Sequence, residues 1–443
     1  MKLGRRHFLA GMSAIGAAAV SGCATATRSV SSDFRFALSV SPFTEHVLGN
    51  VALTGGGVTA RTVRETQLLF NAHGATEVYA RIGTLRHSPP GRSSEHGWER
   101  GLERARLARD LDMPFNPEIG LFANYGDVAS LQEAPDFSSY PEIELPAAWS
   151  SLTLDQMLPP LRAYGERIAR QIVATGARVN VWDLGNEVEM GVAGVSVRPL
   201  VRADRYVPPD NVDPEIGRRT VMELIQASEA ERIAWCRRHL WPHNARMFAA
   251  VVEGIRAVQP DARFSTHISA FGQRSPAIAE AFWETMRANG YLPDELGISS
   301  WGTQGPTLYG PDNVFSWLSE TASELHARFG RQTFIAEYGF PAGEMARPFE
   351  WNDPQPGYPQ DEQGQFAYTR DVLLWGLETG ILSGVRPWAP DLCTSNWAPM
   401  SWFARDGEVA PARPVMSAFM EARRLRGARD RHSVRGAQIG GAA

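Results

Sequence analysis

The stretch VNVWDLGNEVEMG (residues 179–191) places a run of apolar residues directly before Gly-Asn-Glu. Such a run is typical of a buried β-strand, and a carboxylate buried at its end costs free energy unless hydrogen bonds, a nearby charge or a shifted pKa compensate for it. Asn186 stands beside Glu187, and a further acid follows at Glu189. These polar neighbours make Glu187 a candidate for a functional carboxylate.

Seven more short apolar runs are bounded by turn residues, and stretches with apolar residues at helical spacing separate them. Several of these amphipathic stretches end in glycine just before the next strand, as helix C-termini commonly do. Eight strands that alternate with helices predict an α/β fold, a closed (β/α)8 TIM barrel that forms a single domain over residues 33–423. The predicted strands are residues 36–43, 76–83, 115–123, 180–187, 263–269, 295–302, 333–339 and 383–390.

Composition limits the partners of the chain. Of its 443 residues, 43% are hydrophobic and 10% are aromatic, which indicates a large globular core. The formal net charge of -5 provides no basic field that would attract phosphates. We therefore expect no nucleic-acid partner, and a neutral substrate fits this composition better.

The first 23 residues have the pattern of an export signal. The arginine pair at residues 5–6 resembles a twin-arginine signal, and VSGC (residues 20–23) resembles a lipobox, in which the cysteine is acylated after cleavage. The apolar stretch between them is too short to span a membrane comfortably. We expect an exported lipoprotein in the periplasm or cell envelope that is anchored to the membrane by a lipid on Cys23.

The segments that flank the predicted barrel differ from it in composition. Residues 24–32 are rich in Ser, Thr and Ala and are expected to form a flexible tether, and residues 424–443 are expected to form a disordered tail. Cys236 and Cys393 are the only cysteines besides Cys23. They are too few for a disulfide scaffold and fit no metal motif, and the sequence leaves open whether they pair.

The predicted barrel gives Glu187 a defined location, because catalytic groups in this fold lie at the C-terminal ends of the strands. Glu187 ends the fourth strand, and Glu337 lies near the end of the seventh, in TFIAEYGFP. Two carboxyl groups at the barrel mouth can break a glycosidic bond, since one protonates the leaving oxygen and the other attacks the anomeric carbon or activates water. A negative charge nearby raises the pKa of the acid that must keep its proton, and Asn186 would hydrogen-bond a sugar hydroxyl.

The order of these motifs resembles that of the clan A glycoside hydrolases and, more closely, of glycoside hydrolase family 53, the endo-β-1,4-galactanases. The resemblance covers residues 76–420. It includes His267 on the fifth strand and Trp388 on the eighth. It also rests on the segments PAAWSSLTLDQMLPPLRAYGERIARQIVATG leading into LGNEVEMG, FWETMRANGYLPDELGISSWG, ARFGRQTFIAEYGFP and DEQGQFAYTRDVL.

This resemblance implies a retaining hydrolase that acts by double displacement on a galactan-like, β-linked polysaccharide or oligosaccharide. Glu187 would be the acid/base, and Glu337 would be the nucleophile that forms a glycosyl-enzyme. Arg81 at the end of the second strand would keep Glu337 ionised by lowering its pKa. The alternative for Arg81 is a salt bridge at the bottom of the barrel.

Three more residues are candidates for substrate binding by the same resemblance. His267 would orient the site or bind substrate, or equally would be a core histidine. Trp388 would form the floor of a sugar subsite, with Trp301 as a further candidate. Trp182 lies in the middle of a strand, and core packing is expected for it.

Departures from the family pattern concern the substrate-binding positions. NYGD (residues 124–127) stands where galactanases usually have His-Tyr-Ser-Asp, and RIG (residues 81–83) is not followed by the usual tryptophan. SW (residues 300–301) replaces a pair of tyrosines. Residues 193–230 also form a long connection after the fourth strand, and at the mouth it would reshape the cleft.

Two other functions remain open at this stage. One is a clan A hydrolase of different glycan specificity, and the other is a lipid-anchored carbohydrate-binding protein on an inactive barrel. A metal-dependent hydrolase would need clustered His and Asp at strand ends, and the histidines show no such spacing. Some family members hold a structural calcium, but no Asp-rich loop indicates one here, so we expect no cofactor. We also expect a monomer.

Overall fold

The computed structural model describes residues 34–128, 133–200, 206, 210–269, 275–304, 314–347 and 351–440, with side chains up to residue 429. The described residues belong to one compact unit, Asp33–Ala443. The predicted export signal, the acylated Cys23 and the tether at residues 24–32 lie outside the described residues and stay predictions.

Thirteen strands occur in the described residues, and eight of them form one parallel sheet in the order β1-β12-β11-β10-β9-β6-β5-β4. In chain order they are β1 (Arg35–Phe36), β2 (Ala52–Gly55), β3 (Val58–Ala60), β4 (Val78–Ile82), β5 (Phe115–Ile119), β6 (Trp182–Leu184), β7 (Gly191–Val192), β8 (Val195–Ser196), β9 (Phe264–Ile268), β10 (Glu295–Trp301), β11 (Gln332–Gly339), β12 (Leu382–Pro387) and β13 (Val409–Pro411).

The sheet curls until its first and last strands meet. The Thr76 amide donates to the Phe36 carbonyl at 3.0 Å, and the Tyr79 amide donates to Ser39 Oγ at 2.9 Å. These bonds join the β1 and β4 segments. The predicted (β/α)8 barrel is therefore confirmed, and each predicted strand overlaps one barrel strand.

Helices surround the barrel. They are α1 (Thr44–Leu48), α2 (Val63–Ala72), α3 (Trp98–Asp110), α4 (Leu154–Ala174), α5 (Val221–Gln226), α6 (Glu229–His239), α7 (Trp241–Arg256), α8 (Pro276–Ala288), α9 (Val314–Phe329), α10 (Glu362–Thr379) and α11 (Ala418–Gly440). Helices α2, α4, α5 and α6 each begin with a capping box, in which the N-cap side chain and the third helical residue satisfy each other's backbone amides. No described helix has the length and apolar character needed to cross a membrane.

Helices α4 and α7 approach each other closely because glycine lies at the crossing on both. A Cβ at Gly165 would collide with the Val251 carbonyl, and one at Gly254 would collide with the Arg162 carbonyl. The two helices therefore pack with their backbones in close contact.

Strand bounds differ from prediction where the backbone turns. The predicted strand at residues 180–187 contains only Trp182–Leu184, because Gly185 has a φ of +76° and Glu187 one of +49°, and a left-handed backbone cannot continue a ladder. Of the predicted first strand, only Phe36 pairs regularly with β12, together with Arg35 just before it. Beyond it the Ser39 side chain, rather than the backbone, makes the contact to β4.

The C-terminal end also differs from prediction. Helix α11 runs to Gly440 and so includes most of the segment expected as a tail. Its first turns are held by burial of Phe419, whose ring stacks on Phe36 at 4.4 Å, and an ion pair joins Arg429 to Glu378 further along. A helix anchored at one end propagates at one hydrogen bond per added residue.

Two small sheets and the cysteines complete the fold. Strands β13, β2 and β3 form one sheet, and β7 and β8 form a hairpin after the fourth barrel strand. Cys236 and Cys393 are both buried free thiols, which settles the pairing that the sequence left open.

Candidate active site

Glu187 lies at the C-terminal mouth of the barrel, one turn beyond β6. Its backbone is left-handed, with φ 49° and ψ 63°, and a one-turn 3-10 helix, Val188–Met190, follows it. The residue is only 7% exposed, and the Val128 amide donates to Glu187 Oε2 at 3.2 Å. A non-glycine residue in this conformation is strained, so the surrounding structure must hold it there.

Two side chains and one backbone amide outside the turn hold it in place. Asn244 Nδ2 donates to the Val188 carbonyl at 3.0 Å, and Trp241 Nε1 donates to the Glu189 carbonyl at 2.9 Å. The Ser269 amide donates to the Glu189 carboxylate at 3.0 Å. Helix α7 and the end of β9 therefore fix the direction in which Glu187 leaves its strand.

Replacing Asn244 with alanine should destabilise the protein and reduce its activity together. The change removes the side-chain donor to the buried Val188 carbonyl, which keeps the Gly191 amide as a donor, and loss of this hydrogen bond costs about 0.5–1.5 kcal/mol of unfolding free energy. It also loosens the backbone beside Glu187. Urea unfolding and the kcat for glycan hydrolysis measure the two effects.

The matched control is Asn289→Ala, which loses an amide–carbonyl hydrogen bond of 2.8 Å to Thr285 at the end of α8. This variant should lose stability without a change in the kcat of the folded enzyme. Equal kcat values in the two folded variants would contradict a role for Asn244 in holding the turn.

Glu337 lies on β11, across the barrel from the strand that leads to Glu187. Arg81 of β4 contacts the Glu337 carboxylate through the barrel interior. Arg81 Nη2 forms an ion pair with Glu337 Oε1 and donates to Asn186 Oδ1 at 2.8 Å. Arg81 and Glu337 are 2% and 5% exposed. Arg81 therefore contacts two residues at the C-terminal strand ends rather than a partner at the barrel bottom.

Asn186 and His267 belong to the same hydrogen-bonded group. His267 Nε2 lies 2.8 Å from Asn186 Oδ1, and Asn186 Nδ2 donates to the Gly126 carbonyl at 2.8 Å. Burial, with the positive charges of Arg386 and Arg81, lowers the pKa of His267 well below its usual value. A neutral His267 with its proton on Nε2 therefore orients the Asn186 amide.

The two carboxyl groups have different electrostatic environments. Burial, and then the negative charges of Glu337, Asp127 and Glu189, raise the pKa of Glu187 well above its usual value. Burial also raises the pKa of Glu337, but Arg81 opposes that rise through its charge and its hydrogen bond. Two acids that share a site do not both ionise readily. The proton therefore stays on Glu187, because none of the groups named above as shifting its pKa is a cation.

Tryptophans line the mouth beside Glu337. Trp301 is 5% exposed and packs against Trp351, Trp388 and Trp397 at ring-centroid distances of 5.3, 6.1 and 5.4 Å. Trp388 is half-buried, with its edge against Phe43 at 5.6 Å. Trp388 therefore keeps accessible ring area, whereas Trp301 mainly supports the cluster. Trp182 is fully buried in the core, as predicted.

Sequence analysis missed a second group of charged residues inside the barrel. Glu118 of β5 binds Arg81 Nε through Oε1 at 2.5 Å, and Arg386 of β12 binds both Glu118 and Asp183. The signal was present, since Glu118, Asp183 and Arg386 all interrupt apolar strands. Among the side chains that the structure describes, no group of three or more His, Cys, Asp or Glu is arranged to hold a metal ion.

Comparisons with known proteins give the family and the fold. Residues 137–408 match the sequence profile of Glycosyl hydrolase family 53. The fold resembles the catalytic domain of a family 53 enzyme from Ignisphaera aggregans, with 15% identity, 88% of this chain and 97% of that chain covered, and a TM-score of 0.61. It also resembles a structure from a study of two fungal β-1,4-galactanases, with 14% identity, 86% and 98% coverage, and a TM-score of 0.60. Comparison with curated protein sequences finds no match.

Proposed function

Since the chain belongs to glycosyl hydrolase family 53, and so to the O-glycosyl hydrolases of clan A, we propose that it cleaves a galactan-like β-linked glycan with retention of configuration. In this proposal Glu187 is the acid/base and Glu337 is the nucleophile. The observation that carries it is the unequal pairing of the two carboxyl groups: Arg81 binds Glu337, whereas Glu187 has no cationic partner among the residues that the structure describes.

The first step forms a covalent glycosyl-enzyme. A Glu337 carboxylate oxygen attacks the anomeric carbon, the bond from that carbon to the glycosidic oxygen breaks, and Glu187 gives its proton to the leaving oxygen. Arg81 holds the attacking carboxylate, and Asn186, fixed by His267, is positioned to bind a hydroxyl of the same sugar. The leaving part of the glycan departs as a neutral alcohol.

The second step restores the enzyme. Glu187, now a carboxylate, takes a proton from water, and the water oxygen attacks the anomeric carbon while the bond to Glu337 breaks. Loss of the first proton makes Glu187 a base at the moment when one is needed. Two inversions at the same carbon give a product with the original β configuration.

The identity of the glycan is proposed from the structural neighbours and from the aromatic surface that Trp388 offers. One structural neighbour comes from a study of β-1,4-galactanases, and the accessible face of Trp388 offers a flat apolar surface for a sugar ring. A different β-linked glycan is the second candidate. It is favoured by Trp301, which is buried among tryptophans where galactanases usually have tyrosines, and by the buried Asn124 in place of the usual histidine.

Incubating the protein with a panel of β-linked glycans, including β-1,4-galactan, tests this proposal. We expect reducing ends to be released from galactan, and proton NMR should show the β-anomer of the new reducing end before mutarotation. Release from another glycan only would favour the second candidate. An α-anomer as the first product would contradict retention, and binding without any release would indicate a carbohydrate-binding protein.

A further inference from the structure

A chain of buried charges extends from Glu337 through the barrel interior. Arg81 Nε donates to Glu118 Oε1 at 2.5 Å, and Arg386 Nη2 donates to Glu118 Oε2 at the same distance. Arg386 Nη1 also binds Asp183 Oδ2 at 2.5 Å. Side-chain exposures of Arg81, Glu118, Arg386 and Asp183 lie between 0% and 3%, so none of these charges is solvated by bulk water.

The contacts of Glu118 fix where Arg81 lies. One carboxylate oxygen accepts from Arg81, and the other accepts from Arg386 and from the Tyr79 hydroxyl, the latter at 3.1 Å. Arg386 in turn packs on the Tyr79 ring, with its guanidinium carbon 4.0 Å from the ring centroid, and donates to the Ala336 carbonyl at 2.6 Å. Glu118 therefore has little freedom to move, and it holds the guanidinium edge that also binds Glu337.

Stability alone does not account for this group of charges. Buried ion pairs contribute little net stability, since the cost of desolvating them offsets their attraction, and an apolar set of similar volume is often equally stable. Arg386 lies on β12, which pairs with β1 and β11, yet its two anionic partners lie on β5 and β6 on the other side of the barrel. One end of the network contacts Glu337, which points to a role at that carboxylate.

We propose that Glu118 and Arg386 are positioning residues, which place the Glu337 carboxylate through Arg81 and control its ionisation by their opposite charges. The inference rests on the proposed function, in which Glu337 must be ionised to attack. Neither residue is assigned contact with the substrate.

Their charges have opposite effects on Glu337. Burial raises the pKa of the Glu337 carboxyl, the Arg81 and Arg386 cations oppose that rise, and the Glu118 anion adds to it. Removing the Glu118 charge should therefore favour ionised Glu337, and removing the Arg386 charge should disfavour it. The charged and titratable groups that face Glu337 are Tyr79 and Arg81 on β4, Glu118 on β5, Tyr125 after β5, Glu187 after β6 and Arg386 on β12.

The test measures the protonation of Glu337 directly in the full-length protein. Infrared spectra over a pH series show the carbonyl stretch of a protonated carboxyl, and the band that disappears in Glu337→Gln belongs to Glu337. We expect the midpoint of this band to fall by about one pH unit in Glu118→Gln and to rise by about one unit in Arg386→Met. Arg386→Lys, which keeps the charge, should give a smaller rise and replaces Arg386→Met if that variant does not fold.

The matched control is Glu77→Gln at the opposite end of the barrel, where Glu77 pairs with the buried Arg35. It removes a buried charge of the same kind and should leave the Glu337 midpoint unchanged. Unchanged midpoints in folded Glu118 and Arg386 variants, or shifts of the same sign in both, would overturn the inference.

Activity separates this inference from the proposed function. If the wild type hydrolyses a glycan, the acidic limb of its kcat/KM profile should move in the same directions as the infrared midpoint. A different outcome is that the wild type hydrolyses no glycan while the Glu118 and Arg386 variants still shift the infrared midpoint in opposite directions. That result would contradict the proposed function and still support the control of Glu337 by these residues.

Discussion

Replacing Glu337 with glutamine is expected to lower the kcat for glycan hydrolysis by roughly 10⁴-fold or more. An amide does not attack the anomeric carbon, so no glycosyl-enzyme forms. The change also leaves the buried Arg81 guanidinium with Glu118 as its remaining anionic partner, which removes the charge complementarity of the site. The measurement is kcat on the glycan that the wild type hydrolyses fastest.

Two observations would support the loss as chemical rather than structural. Circular dichroism of Glu337→Gln should match that of the wild type, and the control Glu320→Gln, which changes an exposed carboxylate on α9, should keep full activity. A folded Glu337→Gln enzyme that retained a tenth of the wild-type kcat would contradict the role of nucleophile.

Replacing Glu187 with glutamine is expected to lower the kcat on natural glycan by about 10²- to 10⁴-fold, because the leaving oxygen then departs without a proton. A dinitrophenyl glycoside of the same sugar needs no such proton, since its leaving group is already a weak base. The variant should therefore release a rapid burst of dinitrophenol, followed by slow turnover as the glycosyl-enzyme waits for water without a base. Stopped-flow absorbance measures both phases.

The pH profile gives a second test of Glu187. Burial and neighbouring carboxylates raise its pKa, so wild-type activity should persist while Glu187 is protonated and fall as the pH rises through that raised value. Glutamine does not titrate, so this alkaline limb should be absent from the variant. The control Glu320→Gln, which removes an exposed carboxylate on α9, should keep the limb. An equal loss on glycan and on the dinitrophenyl glycoside would contradict the role of acid.

Local pattern was sufficient to predict the elements that carry the site. Short apolar runs ended by turn residues identified all eight barrel strands, because strand and helix periods are properties of the chain itself. The bounds were less certain where the backbone turned inside the barrel. In the fourth strand, the left-handed Gly185 and Glu187 end the ladder three residues before the predicted end.

The sequence alone determined the barrel, the position of Glu187 and Glu337 at strand ends, and the family resemblance that joins them. Only the tertiary structure decided which charges meet. Arg81 and Glu337 are 256 residues apart in the chain, and Glu118 and Arg386 are 268 apart. No local pattern encodes such pairs, because barrel closure brings opposite strands together, and burial there makes each charge depend on its partners.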